Sequence, residues 1–141
     1  VTEFGPRGGD ELNLIKAGRN YGWITVTHGA HYDGTPAPSS QLGLEEPVLF
    51  WTPSINPGNL AFYHGDKFPA WKGNMLMAAM TRNVLRVTFD AQGKPTGQER
   101  MLTELKQRFR DLRIGPDGDI YLLTDETFGA VLKMEPEAGQ R

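Results

Sequence analysis

Cysteine is absent from this 141-residue sequence, which excludes disulfide staples, thiolate metal sites and a cysteine nucleophile, and leaves the redox compartment open. No apolar run approaches the ~20 residues a membrane helix needs, and the opening Val1-Thr2-Glu3-Phe4-Gly5-Pro6 is neither basic nor a hydrophobic signal core, so no membrane span is expected. An excess of one charge is also missing. Lys plus Arg number 15 against 17 Asp plus Glu, a formal charge of -2, which does not indicate a general nucleic-acid surface. Helix-period apolar stripes are scarce, and with 17 Gly and 10 Pro this excludes a long helical bundle or coiled coil. A Gly-x-Ser-x-Gly elbow, a phosphate-binding Walker loop and a dinucleotide fingerprint are absent too, removing serine-hydrolase and nucleotide readings. The initiating Met is lacking and the chain opens into a Gly-rich segment, so it is expected to be part of a longer product.

What is present is short apolar runs bounded by Gly, Pro, Asn and Asp. They predict an all-β chain with strands near 12–15, 22–27, 48–51, 59–63, 74–80, 84–90, 110–114, 119–124 and 131–135. Gly115-Pro116-Asp117-Gly118 predicts a hairpin turn, since Pro presets φ and Gly accepts a positive one. The polar stretch 33–43 reads as the longest loop. An internal repeat is visible: the run at Met75 returns at Ile120, and Asn83-Val84-Leu85-Arg86-Val87 is answered by Ala130-Val131-Leu132-Lys133-Met134. Offsets of 45 and 47 residues match the period of a four-stranded propeller blade. The length therefore holds about three blades, too few for a ring that closes with roughly 4–8. Only three strands are evident from Arg108 onward, so a fourth is expected from elsewhere, and other residues or a second copy of the chain are expected to cover the exposed sheets.

Four clusters carry candidate chemistry. Gly5-Pro6-Arg7-Gly8-Gly9-Asp10-Glu11 sets flexible backbone beside two carboxylates, suited either to a hard cation held by carbonyls and Glu11 or to a plain acidic turn. Gly18-Arg19-Asn20-Tyr21-Gly22-Trp23 follows, a turn that could present the Tyr21 carbonyl to such an ion, with Trp23 read as packing. His28 and His31 stand three apart, but Gly29 argues against a shared helix and so against a metal pair; the neighbouring Tyr32 could stack on a flat ligand. In Arg108-Phe109-Arg110 alternate strand residues share a face, so both guanidiniums point one way and suit a polycarboxylate or phosphate. The alternative is a solvated face answering Asp111, Glu104 and Asp125. Asp10 with Glu11, and Asp125 with Glu126, are poor acid/base couples because neighbouring strand residues face opposite ways.

Taken in order, Gly5-Pro6-Arg7-Gly8-Gly9-Asp10-Glu11, Asn20-Tyr21-Gly22-Trp23, Phe68-Pro69 with Trp71, Arg108-Phe109-Arg110-Asp111 and Gly115-Pro116-Asp117-Gly118 resemble the C-terminal part of the glucose/sorbosone dehydrogenase family, the soluble quinoprotein sugar dehydrogenases. The resemblance covers nearly the whole chain. It implies that residues 1–141 are the C-terminal half of a six-bladed β-propeller of four-stranded antiparallel sheets, which binds pyrroloquinoline quinone (PQQ) and calcium and oxidises the C1 hydroxyl of aldoses to lactones. It further implies that Glu11 and the Tyr21 carbonyl bind calcium, and that Tyr32, Ala79, Met80, Thr81, Arg108, Phe109 and Arg110 bind the cofactor. Family members often carry Lys where this chain has the neutral Thr81. The family's catalytic His lies in the earlier blades and has no match here, so His28, His31 and His64 take no such role and the isolated chain is expected to be inactive. An aldose substrate, an N-terminal half of the propeller or a second copy as partner, and a periplasmic or secreted location are the further implications. The alternative is a non-catalytic propeller segment that binds carbohydrate or protein.

Overall fold

The computed structural model describes residues 1–137, which fall into two compact units, Val1–Pro57 and the described residues from Gly58 onward. In the first, β1 (Thr2–Glu3), β2 (Asp10–Leu12) and β3 (Leu49–Trp51) form a sheet ordered β1-β2-β3, antiparallel throughout. Glu3 stands opposite Glu11, and Asp10 opposite Trp51. The strand expected at 12–15 ends at Leu12, because the Tyr21 hydroxyl folds the chain back by donating to the Leu14 carbonyl (2.7 Å) and accepting from the Lys16 N–H (2.7 Å).

The strand expected at 22–27 does not form. Its apolar residues sit in a turn in which the Gly22 carbonyl accepts from the N–H groups of Thr25 (2.6 Å) and Val26 (3.0 Å). Gly22 has φ of 90°, and a Cβ there would collide with the Val26 side chain, so the turn requires glycine. Between β2 and β3 the chain is otherwise loop, with isolated bridges joining Ala30 to Arg7 and to Pro36.

The buried Asp10 side chain holds this unit together. Its Oδ1 accepts from the Gly5 N–H (2.9 Å) and the Ser54 hydroxyl (3.0 Å), and its Oδ2 from the N–H groups of Ile55 and Asn56 (2.8 Å each). One carboxylate thereby ties the glycine-rich turn to the segment after β3.

The second unit carries two sheets. β4 (Pro57–Phe62), which starts at the boundary, β5 (Met75–Ala79), β6 (Asn83–Phe89) and β7 (Pro95–Met101) lie in the order β4-β5-β6-β7. β8 (Phe109–Ile114), β9 (Ile120–Thr124) and β10 (Val131–Met134) lie in the order β10-β9-β8. The repeat is structural: Met75 pairs with Val87 and Ala79 with Asn83, as Ile120 pairs with Met134 and Leu123 with Val131. The hairpin predicted at Gly115–Gly118 joins β8 to β9, with Gly118 at φ of 80° donating to the Gly115 carbonyl (3.0 Å). β7, Pro-Thr-Gly-Gln-Glu-Arg-Met, carries no apolar alternation because it is an exposed edge strand.

The core of this unit is built from Tyr63, Leu76, Ala78, Val84, Phe109, Leu112, Ile120 and Leu122, drawn from both sheets. Two polar links fix β8 in place. The Asn59 side-chain amide donates to the Leu112 carbonyl (3.0 Å), and the buried Tyr63 hydroxyl donates to the Gly118 carbonyl (2.8 Å). β4 also approaches β8 so closely at Gly58 that a Cβ there would collide with the Arg110 carbonyl.

Candidate functional site

The second unit gathers Met80, Thr81, Arg108 and Arg110 near the start of β8. Arg110 is the extra residue of a bulge: Phe109 pairs with Thr124 and Asp111 already with Leu123. A bulge re-aims side chains, and here Phe109 and Leu112 both turn into the core while Arg108 and Arg110 turn out. The two guanidiniums meet on one atom. Asp125 Oδ2 accepts from Arg108 Nε (3.2 Å), Arg108 Nη2 (2.8 Å) and Arg110 Nη2 (3.0 Å). Arg108 hydrogen bonds hold the Asp125 carboxyl below its usual range, with a smaller part from Arg110.

Arg108 Nη2 also reaches Met80 Sδ at 3.7 Å. Its backbone is locked to the loop after β9: its N–H donates to Glu126 Oε1 (3.1 Å), and its carbonyl accepts from the Asp125 N–H (2.8 Å). Arg108, Arg110, Asp125 and Glu126 together are formally neutral, so directed N–H groups are what this cluster offers an anion. The side chains of Arg108 and Arg110 are 39% and 50% exposed, enough for a ligand to reach them.

The remaining residues of this set differ in access. Thr81 is exposed in the β5–β6 turn, its carbonyl and hydroxyl oxygens accepting from the Asn83 amide (3.3 and 3.2 Å). Ala79 and Phe109 are wholly buried, backbone included. Arg82 occupies the same turn with φ of 69° and is exposed. Sequence reasoning treats Asp125 as one acid among three near the arginines. The clue to its place is that it directly follows the strand that pairs with β8.

In the first unit, Glu11 and Tyr21 line one small cleft with Glu3, Gly5 and Trp23, about 10 Å³ and so the room of one water or bare cation. The Asn13 amide nitrogen donates to Glu3 Oε1 and Glu11 Oε2 (3.2 Å each), while the buried Asn13 Oδ1 has no partner among the described residues. Burial pushes the Glu11 carboxyl up, opposed by the Asn13 hydrogen bond and the charge of His28. A half-buried carboxylate beside a second carboxylate fits a hard cation. No group of three His, Cys, Asp or Glu forms a cage among the described residues, so carbonyl oxygens would have to complete the shell. Tyr32 is 73% exposed and does not line the cleft. His28 stacks on Phe50 with centroids 3.9 Å apart and lies 3.6 Å from Glu46 Oε2, a packed histidine beside an acid.

The family model described as Glucose / Sorbosone dehydrogenase matches residues 1–133. The chain belongs to that family. It is 41% identical, over 96% of its own length and 38% of the relative's, to the aldose sugar dehydrogenase YliI of Escherichia coli (strain K12). A crystal structure of a glucose dehydrogenase superposes with a TM-score of 0.91 at 40% identity, covering 96% of this chain and 40% of that one. The PQQ-bound aldose sugar dehydrogenase of Streptomyces coelicolor shares the fold at a TM-score of 0.69 and 24% identity, covering 95% of this chain and 38% of that one. The chain thus spans about two fifths of these relatives. The three sheets are blades of the β-propeller of such sugar dehydrogenases, one with four strands and two with three among the described residues.

Proposed function

We propose that this chain is the C-terminal part of a PQQ-dependent aldose sugar dehydrogenase and supplies its cofactor-carboxylate and calcium contacts. The observation that carries the proposal is the convergence of the Arg108 and Arg110 guanidiniums on one oxygen of Asp125, with Arg108 also against Met80. PQQ fits such a set because it is a planar polycarboxylate and forked donors match carboxylates. The relatives' names and the PQQ-bound family structure support the same reading.

When bound, PQQ supplies the two-electron acceptor that oxidation of an aldose C1 hydroxyl to a lactone requires. Arg108 and Arg110 bind and orient its carboxylates. Met80 and Thr81 border the same place, and Thr81 adds a hydroxyl where a cation would add charge. Glu11 and the Tyr21 carbonyl hold calcium. The base that takes the substrate proton belongs to the N-terminal part of the propeller, which is also this chain's partner, and the protein works in the periplasm or outside the cell.

The test is titration of PQQ into the full-length protein that carries these residues. Charge-assisted hydrogen bonds are worth about 1.5–3 kcal/mol each, so Arg108→Ala with Arg110→Ala is expected to weaken PQQ binding by about a hundredfold or more. Unchanged affinity would favour a non-catalytic propeller segment, a reading for which the neutral Thr81 speaks.

A further inference from the structure

Two long, partly exposed arginine side chains would each sample many rotamers if left alone, and a ligand would have to order both on binding. Here one oxygen of Asp125 receives three of their N–H groups, at 3.2, 2.8 and 3.0 Å. The carboxylate is itself positioned from the backbone. The Asp125 N–H donates to the Arg108 carbonyl, and the next residue, Glu126, accepts the Arg108 N–H. Segment 125–126 and residue 108 are therefore joined through main-chain groups as well as through the side chains they orient. As a stability device the pairing is weak, because ion pairs this exposed contribute little. Nor does it strengthen the attraction for an anion, since it cancels positive charge.

We propose that Asp125 is a positioning residue: one carboxylate oxygen holds both guanidiniums together so that their remaining N–H groups are presented as a unit to a planar polycarboxylate. This rests on the reading that PQQ binds at Arg108 and Arg110. Charge and positioning predict opposite signs for Asp125→Asn. The substitution adds one positive charge to the cluster, which by itself would tighten binding of an anion. Loss of the clamp would weaken it.

The experiment is PQQ titration of the full-length, calcium-loaded protein at low and moderate salt, followed by the absorbance of PQQ. Asp125→Asn is expected to weaken binding by about ten-fold at both salt concentrations, against the direction of the added charge. In the Arg108→Ala/Arg110→Ala background the same substitution is expected to cause no further loss, leaving only the slight tightening that the added charge gives, because the clamp acts through those side chains. Unchanged or tighter binding by Asp125→Asn overturns the proposal, as does an equal loss in the double-alanine background, which a merely structural role would give. Should Asp125→Asn fail to fold, Asp125→Glu keeps the charge and displaces the carboxylate by one methylene. A several-fold loss then supports the proposal and unchanged affinity overturns it. Wild-type affinity in Arg108→Ala/Arg110→Ala would overturn the PQQ site itself. A weakened double-alanine variant with normal Asp125→Asn overturns the clamp alone.

Discussion

Asp10→Ala removes the acceptor of four hydrogen bonds at once, and the structure says which of them matter. The Ile55 and Asn56 N–H groups both point at Oδ2 at 2.8 Å, and the Ile55 bond is buried. Neither donor can turn away, because both are main-chain groups. Ser54 can rotate its hydroxyl toward water, and the Gly5 N–H is only partly buried. Stranding a buried donor costs about 1–3 kcal/mol. One such donor, Ile55, at about 2 kcal/mol, with about 1 kcal/mol more from the partly buried Asn56, Gly5 and Ser54 groups together, gives an expected loss of about 3 kcal/mol. Asp10→Asn keeps one acceptor oxygen and is expected to lose about half as much. The assay is urea unfolding of the full-length protein in buffer containing calcium, with an unchanged denaturant slope showing that stability alone has moved. A loss below about 1 kcal/mol for Asp10→Ala would refute the reasoning, because it would mean these donors find water in the folded state.

Further predictions concern other residues. Burial raises the Glu11 carboxyl above its ordinary range, so the folded state binds the proton more tightly than the unfolded one; with calcium chelated, stability should fall as pH rises from the ordinary Glu range through the raised folded value, and Glu11→Gln should lose that slope in melting curves. Parallel curves for the two proteins would refute it. The Asp119 carboxyl is held low first by the Lys67 hydrogen bond and then by that of Lys133, so its stabilising contribution is present above the ordinary Asp range and lost as pH falls through the lowered folded value. Asp119→Asn should be less stable than wild type at neutral pH, with the difference closing in acid; a gap that persists in acid counts against the ion pairs. Gly58→Ala places a Cβ against the Arg110 carbonyl and is expected to cost about 1–3 kcal/mol in urea unfolding, while also weakening PQQ binding by shifting the Arg110 bulge. Normal stability and affinity together would show that β4 can yield there.

The sequence reveals the elements whose side chains divide cleanly between core and solvent. β5, Met-Leu-Met-Ala-Ala, is buried along its length, and β6 begins Asn-Val-Leu with three buried residues, so both stand out as apolar runs. β7 is invisible because an edge strand keeps its backbone bonds while its side chains stay polar. The stretch 22–27 misleads because Trp23, Ile24 and Val26 look strand-like, whereas the collision a side chain at Gly22 would make with Val26 appears only in three dimensions. At the candidate site, the shared direction of Arg108 and Arg110 follows from alternation. That Asp125 answers both depends on the bulge at Arg110 and on the β8–β9 register, which no local pattern encodes.

Asp10 and Glu11 show why carboxyl groups in one motif are not interchangeable. Neighbours on β2, they face opposite ways, and their surroundings divide the work between them. Asp10 already has four donors on its two oxygens, so a cation would have to displace main-chain hydrogen bonds that hold the turn. Glu11 has only a side-chain amide that it shares with Glu3, in a setting where burial opposes its charge. Of the two, only Glu11 gains from a cation, since a positive ion would offset both its desolvation and the nearby Glu3. Placing the satisfied carboxylate inward and the unsatisfied one on the cleft lets the same turn keep its shape whether or not an ion is bound. Chelating calcium should therefore lower the melting temperature of the wild-type protein and leave Glu11→Gln nearly unmoved, and equal shifts in the two proteins would place the ion elsewhere.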